Sequence, residues 1–311
     1  MSSYTIVGAG FGLYGYLPAL VETFRQPVLL PERYRSRLAA RPELIRYESS
    51  IVWVKDTSAA LAHCTGVVIA TPPTTQPDIV TDAMNAVRID TLILEKPLAA
   101  TPQDAEKLLT ALRRTGKRYR IGYTFLHTEW AKRLVVNDAE SVRGISITWS
   151  FLAHHFRYDV RNWKRAHASG GGVLRFYAIH LLALLAKHGY DDVLECIVGG
   201  AESGDPERWF AVLSGSGLPP CRVVVESRSE TSCFKIDVER ASGTDRLLQL
   251  AEPFALEHAV GDKPELDRRT GVLSSVLRSL ETDDDVCYRL YESVLSLWQA
   301  VESAAEFVIE R

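Results

Sequence analysis

Short apolar runs alternate with amphipathic stretches over the first 122 residues of the chain. Aliphatic and β-branched residues dominate five of these runs, as in buried strands: residues 4–7, 27–30, 51–54, 66–70 and 91–94. Residues 119–122 are predicted as a sixth strand. Between them, apolar positions recur at helical spacing in residues 13–24, 76–87 and 102–115. Thr101 and Asp104 form a capping signal before the last of these helices. Strands that alternate with helices predict an α/β fold with a parallel, doubly wound sheet.

The pattern changes beyond residue 122. Residues 143–151 alternate between apolar and polar side chains, which is typical of an antiparallel strand with one exposed face. Similar runs occupy residues 194–198, 209–213, 222–226 and 234–239, and one long amphipathic helix is predicted for 284–309. We therefore expect two domains, residues 1–122 and an α+β domain at 123–311 with an open, mainly antiparallel sheet. The final helix is also able to pack back on the first domain.

A glycine-rich turn follows the first predicted strand. Gly8, Gly10 and Gly12 lie between this strand and the first helix, with Phe11 among them. In that context the first glycine permits a tight turn, the second lets a pyrophosphate approach the backbone, and the helix start attracts phosphate. The turn departs from G-x-G-x-x-G because Leu13 stands where the third glycine belongs. Dinucleotide binding is the favoured interpretation, and a glycine turn without a nucleotide is the alternative.

The residues after the second strand bear on the choice of dinucleotide. An acidic residue about 20 positions after the glycines binds the ribose hydroxyls in NAD-binding units. Glu32 fits that role, whereas Arg33 or Arg35 fits a 2′-phosphate. The alternative is that these charges only solvate a surface helix. The cofactor is thus predicted as NAD(P), with a lean to NADP.

Glu95, Lys96 and Pro97 end the fifth predicted strand. Lys96 then lies at the carboxyl edge of the sheet, where open α/β sheets bind their ligands. Burial there would lower its pKa and make its ammonium a usable proton donor. A solvated lysine at a strand end is the alternative interpretation.

Composition excludes several function classes. The chain has 311 residues, a formal net charge of -3 and 46% hydrophobic residues, so neither nucleic acid nor an anionic membrane is expected as a partner. No apolar run approaches the length of a membrane span, and the first strand begins too early for a signal peptide. Five dispersed cysteines indicate reduced thiols in a cytoplasm, with neither a disulfide framework nor a metal site.

A second motif lies within the second domain. Trp163 and Lys164 precede a run of three glycines at 170–172, and Phe176, Tyr177 and His180 follow on a predicted helix. Phe176 and Tyr177 are four and three positions before His180, so each pair can share a helix face. A hydrogen-bonded core histidine is the alternative to a functional one.

Together, these motifs resemble the glucose–fructose oxidoreductase, inositol dehydrogenase and rhizopine-catabolism (Gfo/Idh/MocA) family. The resemblance is carried by the turn at Gly8–Gly12, by Thr71, Pro72 and Pro73, by residues 95–98, and by Trp163, Lys164, residues 169–172 and His180. It implies that residues 1–122 are a Rossmann dinucleotide-binding domain and that 123–311 form a domain for substrate binding and oligomerisation. It also implies a cis peptide before Pro97 and a homodimer or homotetramer formed through the exposed face of the second sheet.

The resemblance implies roles for particular residues. Lys96 corresponds to the family's catalytic or substrate-orienting lysine, and His180 to its acid/base histidine. In the mechanism that we favour, Tyr177 is the alternative to His180 as proton relay. Gly8, Gly10, Phe11, Gly12, Glu32, Arg33, Thr71, Pro72, Glu95 and Lys96 would contact the cofactor. Lys96, Arg161, Trp163, Phe176 and His180 would face the substrate, with His154 and His155 beside them. For Arg161, Trp163, His154 and His155 the alternative is a solvated loop with one packed tryptophan.

Three positions depart from the family pattern. Phe176 replaces the family's usual aspartate, which implies a more apolar pocket or a ligand that is not a simple polyol. Gln76 stands where a histidine is common, and His127 stands near the usual arginine. The favoured function is an NAD(P)-dependent oxidoreductase that acts on a carbonyl or secondary alcohol, such as a sugar or nucleotide-sugar intermediate. The alternatives are an imine reductase of secondary metabolism and a redox-silent scaffold or partner subunit.

Overall fold

The computed structural model describes residues 3–134, 142–202, 204–255 and 266–309. Their contacts divide the chain into two compact units. The first unit comprises Met1–Ala99, Glu106–His127 and Glu257–Cys287, and the second comprises Ala100–Ala105, Thr128–Leu256 and Tyr288–Arg311. This division differs from a single boundary at residue 122, because residues 266–287 pack within the first unit.

The first unit is built on a parallel sheet. Among the described residues its strands are β1 (Tyr4–Val7), β2 (Val28–Pro31), β3 (Ile51–Val54), β4 (Gly66–Ile69), β5 (Thr91–Leu94) and β6 (Arg118–Ile121). They are ordered β3-β2-β1-β4-β5-β6, and every neighbouring pair is parallel. All four residues of β1, β2 and β4 are buried, as the apolar runs predicted. The strand order reverses between β1 and β4, which is where such sheets bind ligands.

Helices connect these strands. They are α1 (Leu17–Phe24), α2 (Arg35–Ala39), α3 (Thr57–His63), α4 (Gln76–Asn85) and α5 (Pro102–Thr115). A π-helical turn, Gly12–Tyr16, leads into α1, and 3-10 turns occupy Glu32–Tyr34, Pro42–Ser50 and Thr124–His127. The backbone N–H of Asp104 donates to Thr101 Oγ1 at 3.1 Å, so the predicted start of α5 is confirmed. The parallel α/β architecture predicted from periodicity is confirmed.

The sequence pattern did not predict helix α9 (Thr270–Arg278), which lies in the first unit. Leu273, Val276 and Leu277 on this helix are fully buried in the same core as Leu17 and Leu20 of α1. Helix α9 therefore completes the hydrophobic core on one face of the parallel sheet.

The second unit is built on a mixed sheet. Its described strands are β7 (Val142–Leu152), β8 (Asp192–Gly200), β9 (Arg208–Ser214), β10 (Cys221–Glu226), β11 (Arg228–Arg240), β12 (Gly243–Leu250) and β13 (Glu306–Ile309). The order is β12-β11-β7-β10-β9-β8-β13. Pairs β7–β10 and β8–β13 are parallel, and the other four are antiparallel, so the mainly antiparallel prediction is confirmed.

The helices of this unit include α6 (Glu129–Arg133), α7 (His154–Arg157), α8 (Ile179–Lys187) and, from Tyr288 onwards, α10 (Asp284–Ala304). Short 3-10 turns occupy His167–Ser169 and Ser279–Glu281, the latter in the first unit, and a π-helical turn, Val173–Ala178, leads into α8. By length and composition alone, His167–Lys187 could cross a membrane, yet 78% of its most apolar window is buried inside the protein. Such burial is typical of a core helix.

The end of the chain differs from the sequence prediction. A helix was expected to run to residue 309, but α10 ends at Ala304 and β13 follows. Phe307, Val308 and Ile309 are aromatic or β-branched, which favours a strand. Pairing with β8 supplies β13 with backbone hydrogen-bond partners, and this pairing outweighs the helical periodicity.

Candidate functional site

The carboxyl ends of β1, β4 and β5 meet at one edge of the parallel sheet. Val7 pairs with Ile69, and Ile69 pairs with Leu94. Gly8, Ala70 and Glu95 therefore leave the sheet side by side. Since neighbouring strands are separated by a little under 5 Å, the ends of β1 and β5 lie about 10 Å apart. This places the glycine turn and the Glu95–Lys96 segment on opposite sides of the switch point.

Gly8 is required by the geometry of the turn. Its φ is +129°, and a Cβ there would lie 2.2 Å from the carbonyl oxygen of Ala70. The backbone N–H of Gly8 donates to the hydroxyl of Tyr34 at 2.9 Å. Gly10 is exposed, and a Cβ on it would meet nothing within 4 Å, so its open side faces away from the protein. A ligand can thus approach the backbone closely at Gly10.

A cleft of about 410 Å³ lies beside this turn. Its lining residues are Ala9, Gly10, Tyr14, Arg37, Ala40, Arg41 and Glu43. The Arg41 guanidinium lies 4.2 Å from the centre of the Tyr14 ring and pairs with Glu43 at 3.0 Å. Arg37 is exposed and makes no ion pair with another described residue. The cleft therefore combines an open glycine backbone with two guanidinium groups.

The charged residues that the sequence suggested as ligands of the ribose or its 2′-phosphate do not line this cleft. Glu32 forms an ion pair with Arg35, which lowers the pKa of Glu32, and both side chains are half-exposed to solvent. Arg35 also stacks over Trp53 at 4.3 Å, and Arg33 donates to Thr57 Oγ1 at 2.7 Å. Arg37 and Arg41, which do line the cleft, were missed. Their spacing was the available signal, because Arg37 is four positions after Arg33 and Arg41 is four after Arg37, and residues four apart share a helix face.

Thr71 and Pro72 follow β4 at the same edge of the sheet. The side-chain oxygen of Thr71 is buried and has no hydrogen-bond partner among the described residues. A buried hydroxyl without a partner is uncommon in a folded protein and is explained when a ligand supplies that partner. Together with the open side of Gly10, this orphaned oxygen fits a bound dinucleotide.

Glu95 is buried at the end of β5. Its carboxylate accepts a hydrogen bond of 2.6 Å from the Tyr16 hydroxyl, and a Cβ on Gly122 would lie only 2.7 Å from its Oε1. Burial raises the pKa of Glu95, while Lys96, the Tyr16 hydroxyl and Arg269 act in the opposite direction. The Glu95 side chain is thus fixed on one side of the strand end.

Lys96 is half-buried directly after this carboxylate. The Lys96–Pro97 peptide is cis, as the family resemblance implied. The prediction that Lys96 lies at the carboxyl edge of the sheet is therefore matched by its position, and the structure adds that the neighbouring Glu95 is buried. Its catalytic role stays a prediction.

Several predicted residues of the second unit come together around the π-helical turn before α8. The Phe176 ring lies 5.2 Å from Trp163 and 4.8 Å from Tyr177, both with edge-to-face geometry. The Lys164 ammonium lies 5.4 Å from the centre of the Phe176 ring. Tyr177 also packs edge-to-face on Phe151 at 4.8 Å. His180 is buried one turn further on, in the first turn of α8. The position of the expected aspartate is thus part of an aromatic cluster.

A buried charge network that the sequence did not reveal holds this turn. Arg175 donates to both carboxylate oxygens of Glu302, at 2.7 and 2.9 Å, and to the carbonyls of Ala100 and His167. Trp298 Nε1 donates to Glu302 at 3.0 Å. Burial alone would raise the pKa of Glu302, but hydrogen bonds from His167 and Arg175 outweigh it and hold the pKa at about 2. Arg175 immediately precedes Phe176, so the network fixes the start of the aromatic cluster.

The remaining predicted substrate-side residues do not share one environment. Arg161 is exposed and pairs with Glu202 at 3.1 Å. His154 is exposed and lies against Tyr158, whereas His155 is buried and 6.1 Å from the Tyr177 ring. Burial, with Lys164 and Arg165 nearby, lowers the pKa of His155 to about 4, so it is neutral at physiological pH. Of these three, the structure brings only His155 near the aromatic cluster.

Residues 3–123 match the model of the oxidoreductase family GFO_IDH_MocA, described as having an NAD-binding Rossmann fold. This match confirms the predicted family resemblance. No curated protein matches the chain.

Solved structures match nearly the whole chain in fold. GenD2 from gentamicin A biosynthesis, in complex with NAD, has a TM-score of 0.71 and 18% identity over 97% of this chain and 93% of that chain. The WlbA dehydrogenase from Bordetella pertussis, with NADH and UDP-GlcNAcA, has a TM-score of 0.74 and 15% identity over 97% of both chains. KijD10, a 3-ketoreductase from Actinomadura kijaniata with NADP and TDP-benzene, has a TM-score of 0.72 and 14% identity over 99% and 98%. At these identities the likeness concerns the fold.

Proposed function

Residues 3–123 belong to the GFO_IDH_MocA oxidoreductase family, with its NAD-binding Rossmann fold, and from this premise we propose the reaction and the substrate. The protein transfers hydride between a nicotinamide dinucleotide and a carbonyl or secondary alcohol of a sugar or nucleotide sugar. The observation that carries the proposal is the position of Lys96, directly after β5 at the edge that also holds the glycine turn. The separation of about 10 Å between the two strand ends suits a dinucleotide that extends from one to the other.

The residues present fit the cofactor. Gly8, Gly10, Phe11 and Gly12 would hold the diphosphate at the start of the π-helical turn, and the orphaned Thr71 oxygen would donate to the bound group. When bound, the nicotinamide supplies or accepts the hydride. The protein's own residues bind the cofactor, orient the substrate and move a proton.

The proposed proton chemistry assigns a role to Lys96 in the first unit and, from the family resemblance, to His180 or Tyr177 in the second. The Lys96 ammonium donates a hydrogen bond to the reacting oxygen of the substrate and stabilises the negative charge that develops there. His180, or the Tyr177 hydroxyl, is the group assigned to proton exchange with the substrate. His155 contributes no positive charge at physiological pH, because its pKa is lowered to about 4.

Phe176 bears on the substrate class. Its ring is packed by Trp163 and Tyr177 and lies near the Lys164 ammonium, so this position offers an apolar face beside a cation. Such a surface suits a substrate with fewer free hydroxyls than a polyol, or one whose anionic diphosphate binds a lysine. The nucleotide sugar bound to WlbA and the 3-ketoreductase activity named for KijD10 support a nucleotide ketosugar.

A substrate panel tests the proposal. NADH and NADPH consumption would be followed with 3-ketosugar nucleotides and cyclic imines, and NADH and NADPH formation from the oxidised cofactors with UDP-GlcNAcA and myo-inositol. We expect turnover with a nucleotide sugar and at least about tenfold lower kcat/KM with the polyol, because Phe176 leaves polyol hydroxyls without a partner. Turnover of imines alone would favour the imine reductase. Nucleotide binding without any turnover would favour a redox-silent scaffold.

For the cofactor, we propose a preference for NADP. Arg37 and Arg41 line the cleft beside Gly10, and guanidinium groups bind phosphate oxygens well. We expect calorimetric titration to show tighter binding of NADPH than of NADH. The Arg37→Ala variant should weaken NADPH binding by roughly tenfold and leave NADH binding unchanged, as loss of a charged phosphate contact requires.

Two further variants control that experiment. Arg88 is exposed near the opposite edge of the sheet, so Arg88→Ala should bind NADPH as the wild type does. Arg33→Ala compares the residue assigned from sequence with the one assigned from the cleft. A larger effect of Arg33→Ala than of Arg37→Ala would contradict our assignment of the phosphate site.

Assembly and location complete the proposal. We place the protein in the cytoplasm, which the five free cysteines support, because such thiols stay reduced there. A homodimer or homotetramer through the exposed face of the second sheet is supported by the half-buried apolar side chains on that face, such as Ile197, Phe210 and Val224.

A further inference from the structure

Gln76 is a polar side chain at the start of helix α4, and it is fully buried. The helix begins five residues after Thr71, in the segment that follows β4. A buried amide is stable only when hydrogen bonds replace the water that it loses. The partners of Gln76 therefore show what the side chain does.

All partners of the Gln76 amide nitrogen lie in one short segment. Nε2 is 2.7 Å from the carbonyl oxygen of Glu95, 3.1 Å from that of Leu98 and 3.3 Å from that of Pro97. An amide nitrogen has two hydrogens, so the two shortest contacts take one each and the third is shared. The two principal bonds thus lie on either side of Lys96, which is between Glu95 and Leu98 in sequence.

The segment needs these donors because it has left the sheet. The last ladder bonds of this strand are those from Glu95 N–H to Ile69 and from Gly122 N–H to Leu94. Beyond them Pro97 has no N–H, while Glu95, Pro97 and Leu98 are all buried. Buried carbonyls away from water require donors. Gln76 supplies them from a neighbouring helix, 19 to 22 positions earlier in the chain.

The oxygen of the Gln76 amide, unlike its nitrogen, makes no hydrogen bond to a described residue. Gln76 Oε1 is buried and accepts no hydrogen bond from any described residue. A reversed amide would point this oxygen at three carbonyl oxygens, so the bonding pattern fixes the orientation. Among the described residues the side chain therefore acts only as a hydrogen-bond donor, which matches a role in holding backbone carbonyls in place.

Lys96 is thus held through its neighbours on two sides. Gln76 fixes the backbone before and after it, and the Tyr16 hydroxyl fixes the Glu95 carboxylate at 2.6 Å. A lysine side chain is long and flexible, so the position of its ammonium depends on a fixed backbone. Two independent anchors limit the backbone motion at this residue.

We propose that Gln76 is a positioning residue, which holds the Glu95–Leu98 segment and thereby sets the position of the Lys96 ammonium. The importance of this position for turnover rests on the proposed function. The order that Gln76 imposes on the segment does not, and it can be measured separately.

The test uses two variants and one control. Gln76→Met keeps the length of the side chain and removes both donors. Gln76→Glu keeps the length and donates only when its carboxyl is protonated. Thr81→Val is the control, because Thr81 lies on the same helix and donates to the Pro77 carbonyl at 2.9 Å, away from the segment.

Hydrogen exchange read by mass spectrometry reports on the segment without turnover. In Gln76→Met, peptides that cover residues 92–101 should exchange roughly tenfold faster, while the core strand β4 keeps its wild-type rate. Thr81→Val should match the wild type throughout. Wild-type exchange of this segment in Gln76→Met would overturn the proposal.

Kinetics then test the consequence for Lys96. Gln76→Met should lower kcat by roughly 10- to 100-fold, as expected for a misplaced reacting group, with the Kd for NADPH within about twofold of the wild type. The activity of Gln76→Glu relative to the wild type should rise as the pH falls, because the protonated carboxyl again donates to a carbonyl. A pH-independent deficit in Gln76→Glu, or a wild-type kcat in Gln76→Met, would contradict the positioning role.

The two proposals fail in different ways. If the wild type turns over no substrate in the panel, the proposed function is wrong, and exchange in Gln76→Met still decides whether Gln76 holds the segment. If Gln76→Met does not fold, Gln76→Glu provides the same test when it is compared with the wild type at low and at high pH, because it donates only while its carboxyl is protonated.

Discussion

Turnover by a Lys96→Met variant is expected to fall by roughly 10³-fold, the usual effect of losing a charge-stabilising or proton-donating group. Lys96 lies at the edge of the parallel sheet that carries the glycine turn, two strands away from it. Methionine has similar length and no charge, so it removes the ammonium with little change in packing. NADPH binding, measured by calorimetry, should stay within about twofold of the wild type, because the glycine turn and cleft hold most of the dinucleotide.

Lys55 provides a matched control for this substitution. It directly follows β3, so it occupies the same position relative to its strand as Lys96 does, but at the outer strand of the sheet. Lys55→Met should keep the kcat of the wild type. Equal losses in both variants, or wild-type kcat in Lys96→Met, would show that the Lys96 ammonium takes no part in the reaction.

The largest effect on stability is expected at Arg175. Arg175→Met leaves the Glu302 carboxylate buried without its bidentate partner, and breaking a buried ion pair in this way costs about 3–5 kcal/mol. Urea unfolding followed by circular dichroism would measure the loss. Arg161→Met is the control, because it removes a bidentate arginine from Glu202 at an exposed site, where the expected cost is below about 1 kcal/mol.

The same network predicts how stability depends on pH. The pKa of Glu302 is about 2 in the folded protein, below its ordinary value of 4.5, so the unfolded chain binds its proton more readily. The stabilisation by this carboxylate is complete above about pH 4.5 and is lost as the pH falls towards 2. It amounts to roughly 3 kcal/mol at neutral pH. In Arg175→Met the loss over this range should be smaller, and an unchanged acid profile would contradict the assignment.

Much of the fold could be predicted because burial imposes local periodicity. The apolar runs of β1, β4 and β5 are buried on both faces, and their composition shows it directly. The alternation in β7 likewise follows from one buried and one exposed face. Two elements lacked such a signal. Strand β12 is mostly exposed at the sheet edge, so its side chains carry little alternation, and α9 is a short helix whose burial depends on distant α1.

The residues of the candidate site also differ in whether the sequence could locate them. Lys96, Gly8 and Gly10 could be located because each is tied to the end of a predicted strand. Arg175 could not be recognised, since its partner Glu302 is 127 positions away and no local pattern links them. Gln76 was noted only as a departure from the family. Its role depends on three carbonyl groups that no sequence pattern displays.

The bond from the Gly8 N–H to the Tyr34 hydroxyl has a practical consequence for engineering this protein. It joins the glycine turn directly to the segment whose arginines line the neighbouring cleft. Exchanging that segment for one from a homologue, the usual route to reversed coenzyme selectivity, would also remove an anchor of the turn itself. A graft that keeps Tyr34 should therefore alter which coenzyme is accepted, whereas one that discards it should impair acceptance of both.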